Sequence, residues 1–333
     1  MKSSLVMAIE TSCDETAVAI LSGSGNLLAS EVSSQIPLHQ PYGGVVPEVA
    51  SRSHLTQLKP LITRALDFAG ISIGAIDLFA ATSGPGLATS LMLGVSTAKG
   101  LALGLRKPYL AVNHLEGHLL SPFFGSENGI EPCVALVVSG GHTLLVKVEG
   151  VGKYKLLGRT RDDAAGEAFD KVGKLLKLPY PAGPHVDRLA KEGNRRRFDF
   201  PRSMLHSGDF NFSFSGLKTS VRYMLPKLEG ESINDICASF QEAIVDVLVR
   251  KTIDAALAEK TRAIAISGGV SCNSRLRECF QEACAREGMR LLLAAPKLCT
   301  DNAAMIAFVA SQKLARGEFS SLEADIDPNM RLV

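Results

Sequence analysis

Tryptophan is absent from the 333-residue chain, and so is any imbalance of charge: 36 lysines and arginines stand against 34 aspartates and glutamates. A nearly neutral chain carries no bulk basic field, which argues against a strong non-specific nucleic-acid binder. Contact with an RNA substrate would have to come from a local patch. The seven cysteines include no Cys-x-x-Cys pair. An odd number without framework spacing fits free thiols in a reducing compartment. The opening MKSSLVMAIET lacks the long apolar core of a secretory signal and the arginine-rich face of a transit peptide, so a cytoplasmic location is expected. The most apolar stretch, LATSLMLGVSTAKGLALGL, carries Lys99 and many small residues, and reads as a buried helix rather than a membrane span.

What is abundant is glycine, 30 residues in a chain that is 46% hydrophobic, which suits an α/β protein with many tight strand-to-helix turns. The length favours two packed domains. LVMAIETSCDETAVAIL reads as two apolar strands joined by an acidic, hydroxyl-rich turn, and CVALVVSGGHTLLVKVEG repeats strand, polar turn, strand. Two such hairpins about one domain apart suggest a duplicated fold whose halves face each other across a cleft. Helical spacing appears in SRSHLTQLKPLITRALDFAG and in SINDICASFQEAIVDVLVRKTIDAALAEK. Strands are expected at IDLFAAT, RAIAIS and RLLLAAP, and the last helix in CTDNAAMIAFVASQKLARG. The expected division is a first lobe over 1–130 and a second over 131–333, with an irregular insert at about 151–215. The tail after Gly317 is expected to be extended or poorly ordered.

VVSGGHT (137–143) and ISGGVSCN (266–273) each place Ser-Gly-Gly directly after an apolar strand. Paired glycines let backbone N–H groups approach a phosphate, and a following helix N-terminus adds a positive dipole end. Two such turns, with the acidic hairpin tip, could surround a nucleotide. Asn273 is either a helix cap or a donor to a ribose or carbonyl.

NHLEGHLL (113–120) spaces His114 and His118 by one helical turn, so that both lie on one face. Asp301, in TDNAAMIA, is expected at the mouth of the second lobe. Two imidazoles and a carboxylate leave open positions on an ion, as in catalytic zinc and non-haem iron sites. Glu116 lies about 200° around the helix from either histidine. It therefore points away from the metal face and cannot act as the glutamate of a zinc protease does.

NRRRFDFPR (194–202) is either a solvated loop or a phosphate contact. FNFSFSGLK spaces Phe210, Phe212 and Phe214 as one face of a strand and reads as core packing. Arg159 and Arg161 could meet a phosphate or pair with Asp162 and Asp163. Cys13, Cys272 and Cys299 fall in ligand-loop motifs but read as small buried thiols.

Taken together, MAIETSCDETAVAIL, PYGGVVPEVASRSH, SGPG, NHLEGHLLSPF, VVSGGHT, RDDAAGEAFDKVGKLLKLPYPAGPHVDRLA, FSFSGLKTSV, ISGGVSCNSRLRE and CTDNAAMIA strongly resemble the bacterial TsaD proteins. These are tRNA N6-adenosine threonylcarbamoyltransferases, formerly called glycoproteases. The resemblance covers nearly the whole chain and implies the actin, sugar-kinase and Hsp70-like fold. It implies transfer of a threonylcarbamoyl group from threonylcarbamoyl-AMP to the adenosine beside the anticodon of ANN-decoding tRNAs. By matching motif, the metal ligands are His114, His118 and Asp301, with iron or zinc as the ion. The adenylate is lined by Val137, Val138, Ser139, Gly140, Gly141, Asp170, Gly183, Asp187 and Asn273. Asp14, Glu15, Glu116 and His142 are candidate bases or orienters, Glu116 with a structural or tRNA-side role. The implied partners are an inactive TsaB-like paralogue and a TsaE-like P-loop ATPase, with a TsaC-type synthetase supplying the donor. The helix after SGPG is the candidate docking element for the paralogue. Rival readings are a metal-dependent glycoprotein endopeptidase, a non-catalytic scaffold and a small-molecule kinase of the same fold. Retention of all three metal candidates speaks against the scaffold.

Overall fold

The computed structural model describes residues 4–23, 25–126, 128–225 and 232–333. It divides into two compact units. The first comprises Met1–Ile130 and Thr300–Val333, and the second Glu131–Cys299. The C-terminal 34 residues thus belong with the first unit, where the sequence reading had placed them in the second lobe.

The first unit is a five-stranded sheet of β1 (Leu5–Glu10), β2 (Glu15–Ser22), β3 (Leu27–Ser34), β4 (Leu78–Gly84) and β5 (Tyr109–Asn113), in the order β3-β2-β1-β4-β5. β1, β2 and β3 form an antiparallel meander, while β4 and β5 run parallel to β1. A short helix α1 (Ile36–His39) leads into α2 (Pro47–Ala69). Pro47 starts α2 where a missing N–H is harmless, and Gly70 ends it in the left-handed conformation, φ 65°. Ala50, His54, Leu58, Leu61 and Ala65 recur at helical spacing and are buried. Together with Ala98 and Ala102 of α3 (Ala88–Leu105), the lower part of that stripe packs on Met7, Ile9, Val18 and Ile20.

By length and composition α3 could cross a membrane. Here Leu91, Val95 and Ala98 are buried while Met92 and Leu103 are more than half exposed. The helix is therefore two-faced rather than buried throughout. After β5 comes α4 (His114–Leu120). The last helix, α10 (Ala303–Ala315), packs on β1, β2 and α4. Its residues 303–310 are all buried, which explains why the chain returns to this unit. The tail is extended and docked: Ser320 N–H donates to Tyr109 O at 2.9 Å and Asp327 N–H to Ser83 O at 2.9 Å.

The second unit repeats the design. Its strands are β6 (Cys133–Val138), β7 (Thr143–Gly150), β8 (Lys153–Arg159), β9 (Ala263–Ser267) and β10 (Arg290–Leu293), in the order β10-β9-β6-β7-β8. β6, β7 and β8 are again an antiparallel meander, with β9 and β10 parallel to β6. The two sheets therefore share one strand plan. The expected irregular insert is partly regular: it contains β8, α5 (Ala165–Leu175) and α6 (Gly183–Ala190), and it ends where α7 (Ser215–Met224) begins. Its remaining stretch is anchored by Phe200, Phe212 and Phe214, all buried in one core with Phe240 of α8 (Ile233–Ala258) and Phe280 of α9 (Ser274–Arg286).

Candidate active site

In the first unit the carboxyl ends of β1, β4 and β5 lie side by side, because those strands are parallel neighbours. The register Ile9↔Ala81 sets Glu10 beside Thr82, and Thr82 pairs with Val112, two residues before His114. The Asn113 side chain accepts the N–H groups of Leu115 and Glu116 at 2.8 and 3.3 Å, a cap that starts α4 at His114. His114 and His118 follow one turn apart, ring centroids 4.8 Å from each other and edge to face. Asp301, two residues before α10, places Oδ1 3.0 Å from His118 Nε2 and 3.6 Å from His114 Nε2. One donor atom from each of the three lies within 4.8 Å of the others. All three come from one unit. The expectation that opposite lobes supply them is corrected by the return of α10 to the first sheet.

Two imidazole nitrogens and one carboxylate oxygen fit a divalent transition-metal ion, and the surroundings of His114 fit it too. His114 Nδ1 lies 3.1 Å from Glu10 Oε2 and 3.2 Å from Ser12 Oγ, the outer-nitrogen contact typical of a metal-bound histidine. Burial disfavours an imidazolium at His114, yet the Asp301 and Glu10 charges outweigh it and raise its pKa to about 9. Burial likewise opposes ionisation of Glu10, and its contacts with His114 overcome that to hold its pKa below the usual value. Two anions thus draw positive charge to this spot.

Glu116 is buried, and its Oε2 accepts from Lys313 Nζ of α10 at 2.5 Å. The contact ties the residue to the neighbouring helix. At the acidic tip, Asp14 and Glu15 are half-buried, and Ser34 Oγ donates to Glu15 Oε1 at 3.2 Å. Burial first, then the charges of Asp14 and Asp301, push the Glu15 carboxyl up to about 10. The Cys13 carbonyl behind the tip contacts His54 Nε2 at 2.9 Å.

In the second unit the two Ser-Gly-Gly turns are neighbours, since Val137 of β6 pairs with Ser267 of β9. Gly268 adopts φ 89°, and a Cβ there would stand 2.3 Å from Val138 O. Gly166, in the first turn of α5, approaches as closely: its Cβ would lie 2.6 Å from Ser139 O. Gly140 and Gly141 are exposed at the tip, with open space beside them. Val137 and Val138 are buried, and Ser139 closes the turn by accepting the His142 N–H on its Oγ, 3.2 Å, while donating its own N–H to His142 O, 2.8 Å. His142 is half-buried. Asp170 accepts the Ala182 N–H at 2.7 Å and so fixes the entry to α6, which opens at Gly183. Asp187 accepts from the N–H and the hydroxyl of Ser274 at the start of α9. Asn273 caps that helix, accepting from Leu276 N–H at 3.0 Å, and donates to Gln241 Oε1 at 2.7 Å. Of the two roles left open for Asn273, the cap is present.

Several weaker expectations change. Phe212 and Phe214 are buried and stacked, as core packing requires, but FNFSFSGLK is not a strand: Phe212 makes a single bridge, to Thr160. In NRRRFDFPR, Arg202 pairs with Asp246 at 2.9 Å and Phe200 is buried. Arg161 lies 3.9 Å from Asp209. Asp162 instead accepts from Ser213 and Ser215, and Asp163 from Lys171. Cys272 is exposed, not buried. Glu10 and Thr82 were missed. The available signal was an acid closing the otherwise apolar strand LVMAIE, which was read as part of the turn.

Two sheets of identical plan, each carrying side chains at the carboxyl ends of its parallel strands, define the actin, sugar-kinase and Hsp70-like class. The crystal structure of full-length HypF in its phosphate- and nucleotide-bound form aligns with a TM-score of 0.65 at 12% identity, over 95% of this chain and 56% of that one. The chain belongs to the TsaD family: the family model for tRNA N6-adenosine threonylcarbamoyltransferase matches residues 26–308. The enzyme of that name from Anaeromyxobacter sp. (strain Fw109-5) is 50% identical over 331 residues, 98% of this chain and 99% of the relative. Its counterpart from Geobacter metallireducens (strain ATCC 53774 / DSM 7210 / GS-15) is 50% identical over 325 residues, 96% and 95% of the two chains.

Proposed function

We propose that this chain transfers the threonylcarbamoyl group of threonylcarbamoyl-AMP to N6 of adenosine 37, beside the anticodon of tRNAs reading ANN codons. The products are N6-threonylcarbamoyladenosine and AMP. The observation that carries the reading is the convergence of His114, His118 and Asp301 within 4.8 Å in a chain whose residues 26–308 match the family model for tRNA N6-adenosine threonylcarbamoyltransferase. In the reaction the N6 lone pair attacks the carbamoyl carbon of a mixed anhydride. The bond from that carbon to the phosphate oxygen breaks, AMP leaves with the electron pair, and N6 gives up a proton.

His114, His118 and Asp301 would hold the ion, iron in the first instance and zinc as the alternative. When bound, it supplies Lewis-acid polarisation of the donor's oxygens. The remaining work falls to the chain. The backbone of Val137, Val138, Ser139, Gly140 and Gly141 would bind the adenylate, with open space above the two glycines for a phosphate. Asp170, Gly183, Asp187 and Asn273 would shape the rest of that pocket by fixing the starts of α6 and α9. A fixed register of donor and acceptor contributes much of the rate through positioning. Asp14 and His142 are the groups proposed to receive or relay the N6 proton, with Glu15, whose carboxyl is pushed up to about 10, as an orienter. Glu116, held by Lys313, has a structural role. That placement also leaves a peptidase without its glutamate.

A TsaB-like paralogue, a TsaE-like P-loop ATPase and a TsaC-type synthetase complete the proposed system in the cytoplasm, with the exposed face of α3 as the docking element for the paralogue. The test combines the purified chain, these partners, synthetic threonylcarbamoyl-AMP and unmodified tRNA, followed by mass spectrometry of the nucleosides. The parent should form the modified nucleoside, and His114→Ala and Asp301→Asn should lose at least about a hundredfold in rate, as removal of a main electrostatic element does. Equal activity of both variants would remove the ligand assignment.

A further inference from the structure

We infer that Glu10 is the positioning residue of the candidate metal centre: it holds the His114 proton on Nδ1 and so presents Nε2 towards His118 and Asp301 as a ligand. This rests on the metal reading above and adds a residue outside the three-ligand set.

Glu10 ends β1 and has no exposed surface. A carboxylate withdrawn from water is costly unless every oxygen is satisfied, so its neighbours decide what it does. The Ser12 N–H donates to Oε1 at 2.5 Å, and the Thr82 hydroxyl donates to Oε2 at 2.6 Å. A backbone N–H has no acceptor capacity, so Oε1 must accept, and the Thr82 contact makes Oε2 an acceptor as well. His114 Nδ1, 3.1 Å from that same Oε2, can then join the network only as a donor. With the proton held on Nδ1, Nε2 is the nitrogen that would release its proton to an ion, on the side where Asp301 Oδ1 stands 3.6 Å away.

The other histidine differs. His118 Nδ1 is buried with no hydrogen-bond partner among the described residues, so no such contact sets its ring from behind. The sheet explains the asymmetry. Glu10 ends β1, Thr82 lies near the end of β4 and His114 directly follows β5, three neighbouring parallel strands, so the orienting contact is built into the strand register and serves His114 alone.

Glutamine at position 10 keeps the shape but cannot accept from Ser12 N–H and His114 Nδ1–H at once, because one end of its side chain is an NH2 donor. The parent chain, Glu10→Gln, Thr82→Val and His114→Ala are stripped of metal and titrated with Co2+ and then Zn2+ against a chromophoric chelator. The visible Co2+ bands and the metal-free thermal midpoint are recorded for each. Glu10→Gln should bind both ions about 10 to 100-fold more weakly and shift the Co2+ bands. Thr82→Val should show a smaller loss in the same direction. A role confined to folding would move the thermal midpoint and leave the affinity of the folded protein unchanged.

Parental affinity and bands in Glu10→Gln would overturn the inference. If Glu10→Gln does not fold, Thr82→Val decides, weaker binding supporting the inference and parental binding overturning it. A parent that binds neither ion any better than His114→Ala would overturn the metal reading itself and the inference with it, an outcome distinct from equal binding by parent and Glu10→Gln.

Discussion

Glu116 and Lys313 join α4 to α10 through a 2.5 Å ion pair whose carboxylate is buried. The glutamate between the two histidines thus fastens the helix that carries them to the helix that follows Asp301. Removing one member of such a pair takes away an ion-pair contact at a buried position, at a cost of about 3 kcal/mol. Glu116→Ala and Lys313→Met should each lose about that much stability in urea unfolding, and the double variant less than the sum. Glu116→Gln should still modify tRNA when folded. Loss of modification at an unchanged unfolding midpoint would show instead that Glu116 acts in the chemistry.

Gly268 and Gly141 occupy similar Ser-Gly-Gly turns yet should respond oppositely to alanine. Gly268 has φ 89° and ψ 161°, a region nearly confined to glycine, and a Cβ would strike the Val138 carbonyl. Gly268→Ala should therefore destabilise the protein by roughly 1–3 kcal/mol or more. Gly141 has open space around it, so Gly141→Ala should stay within about 0.5 kcal/mol of the parent. If the turn binds the adenylate, Gly141→Ala should nevertheless weaken donor binding, measured by calorimetry with AMP. Unchanged affinity would remove Gly141 from the binding surface.

Asp187 receives two hydrogen bonds from Ser274 at the start of α9, 3.2 Å from the N–H and 2.8 Å from the hydroxyl. Asp187→Ala should cost about 1–2 kcal/mol, the loss expected for a helix-terminal acceptor. Asp187→Asn retains an acceptor and should recover most of it. If Asp187→Asn is as stable as the parent yet binds AMP several-fold more weakly, the carboxylate charge itself serves the ligand. Parental AMP binding by that variant would confine Asp187 to the helix start.

The duplication was legible because each copy begins with two apolar strands around a polar turn, a pattern fixed by local chemistry. β5 and β8 were not. YLAVN is only five residues long, and KYKLLGR is a sheet edge with exposed lysines, so neither shows clean alternation. FNFSFSGLK alternates well and still is no strand, since strand pairing needs a partner that the chain does not supply beyond one bridge. The candidate ligands were legible by type and spacing, but the unit to which Asp301 belongs was not. An almost wholly buried helix such as α10 announces a core without saying which sheet it covers. Glu10 was invisible for a related reason: its meaning depends on Thr82 and His114, 72 and 104 residues away in sequence.

Acid should loosen the second unit through Asp209. Asn211 and then Ser207 donate side-chain hydrogen bonds to its carboxylate at 2.7 Å, which lowers its pKa from 3.8 to about 2. A carboxyl whose pKa is lower folded than unfolded contributes stability that is complete above the unfolded value. That contribution is lost as pH falls through the folded value. The window therefore runs from about pH 4 down to about pH 2. Asp209→Asn, which does not titrate, should be less stable than the parent by a constant margin above pH 5, and the margin should shrink across that window. Because the chain has no tryptophan, urea unfolding is followed by far-UV circular dichroism at each pH. A margin that persists unchanged to pH 2 would show that the ionised carboxylate gains nothing from Asn211 and Ser207.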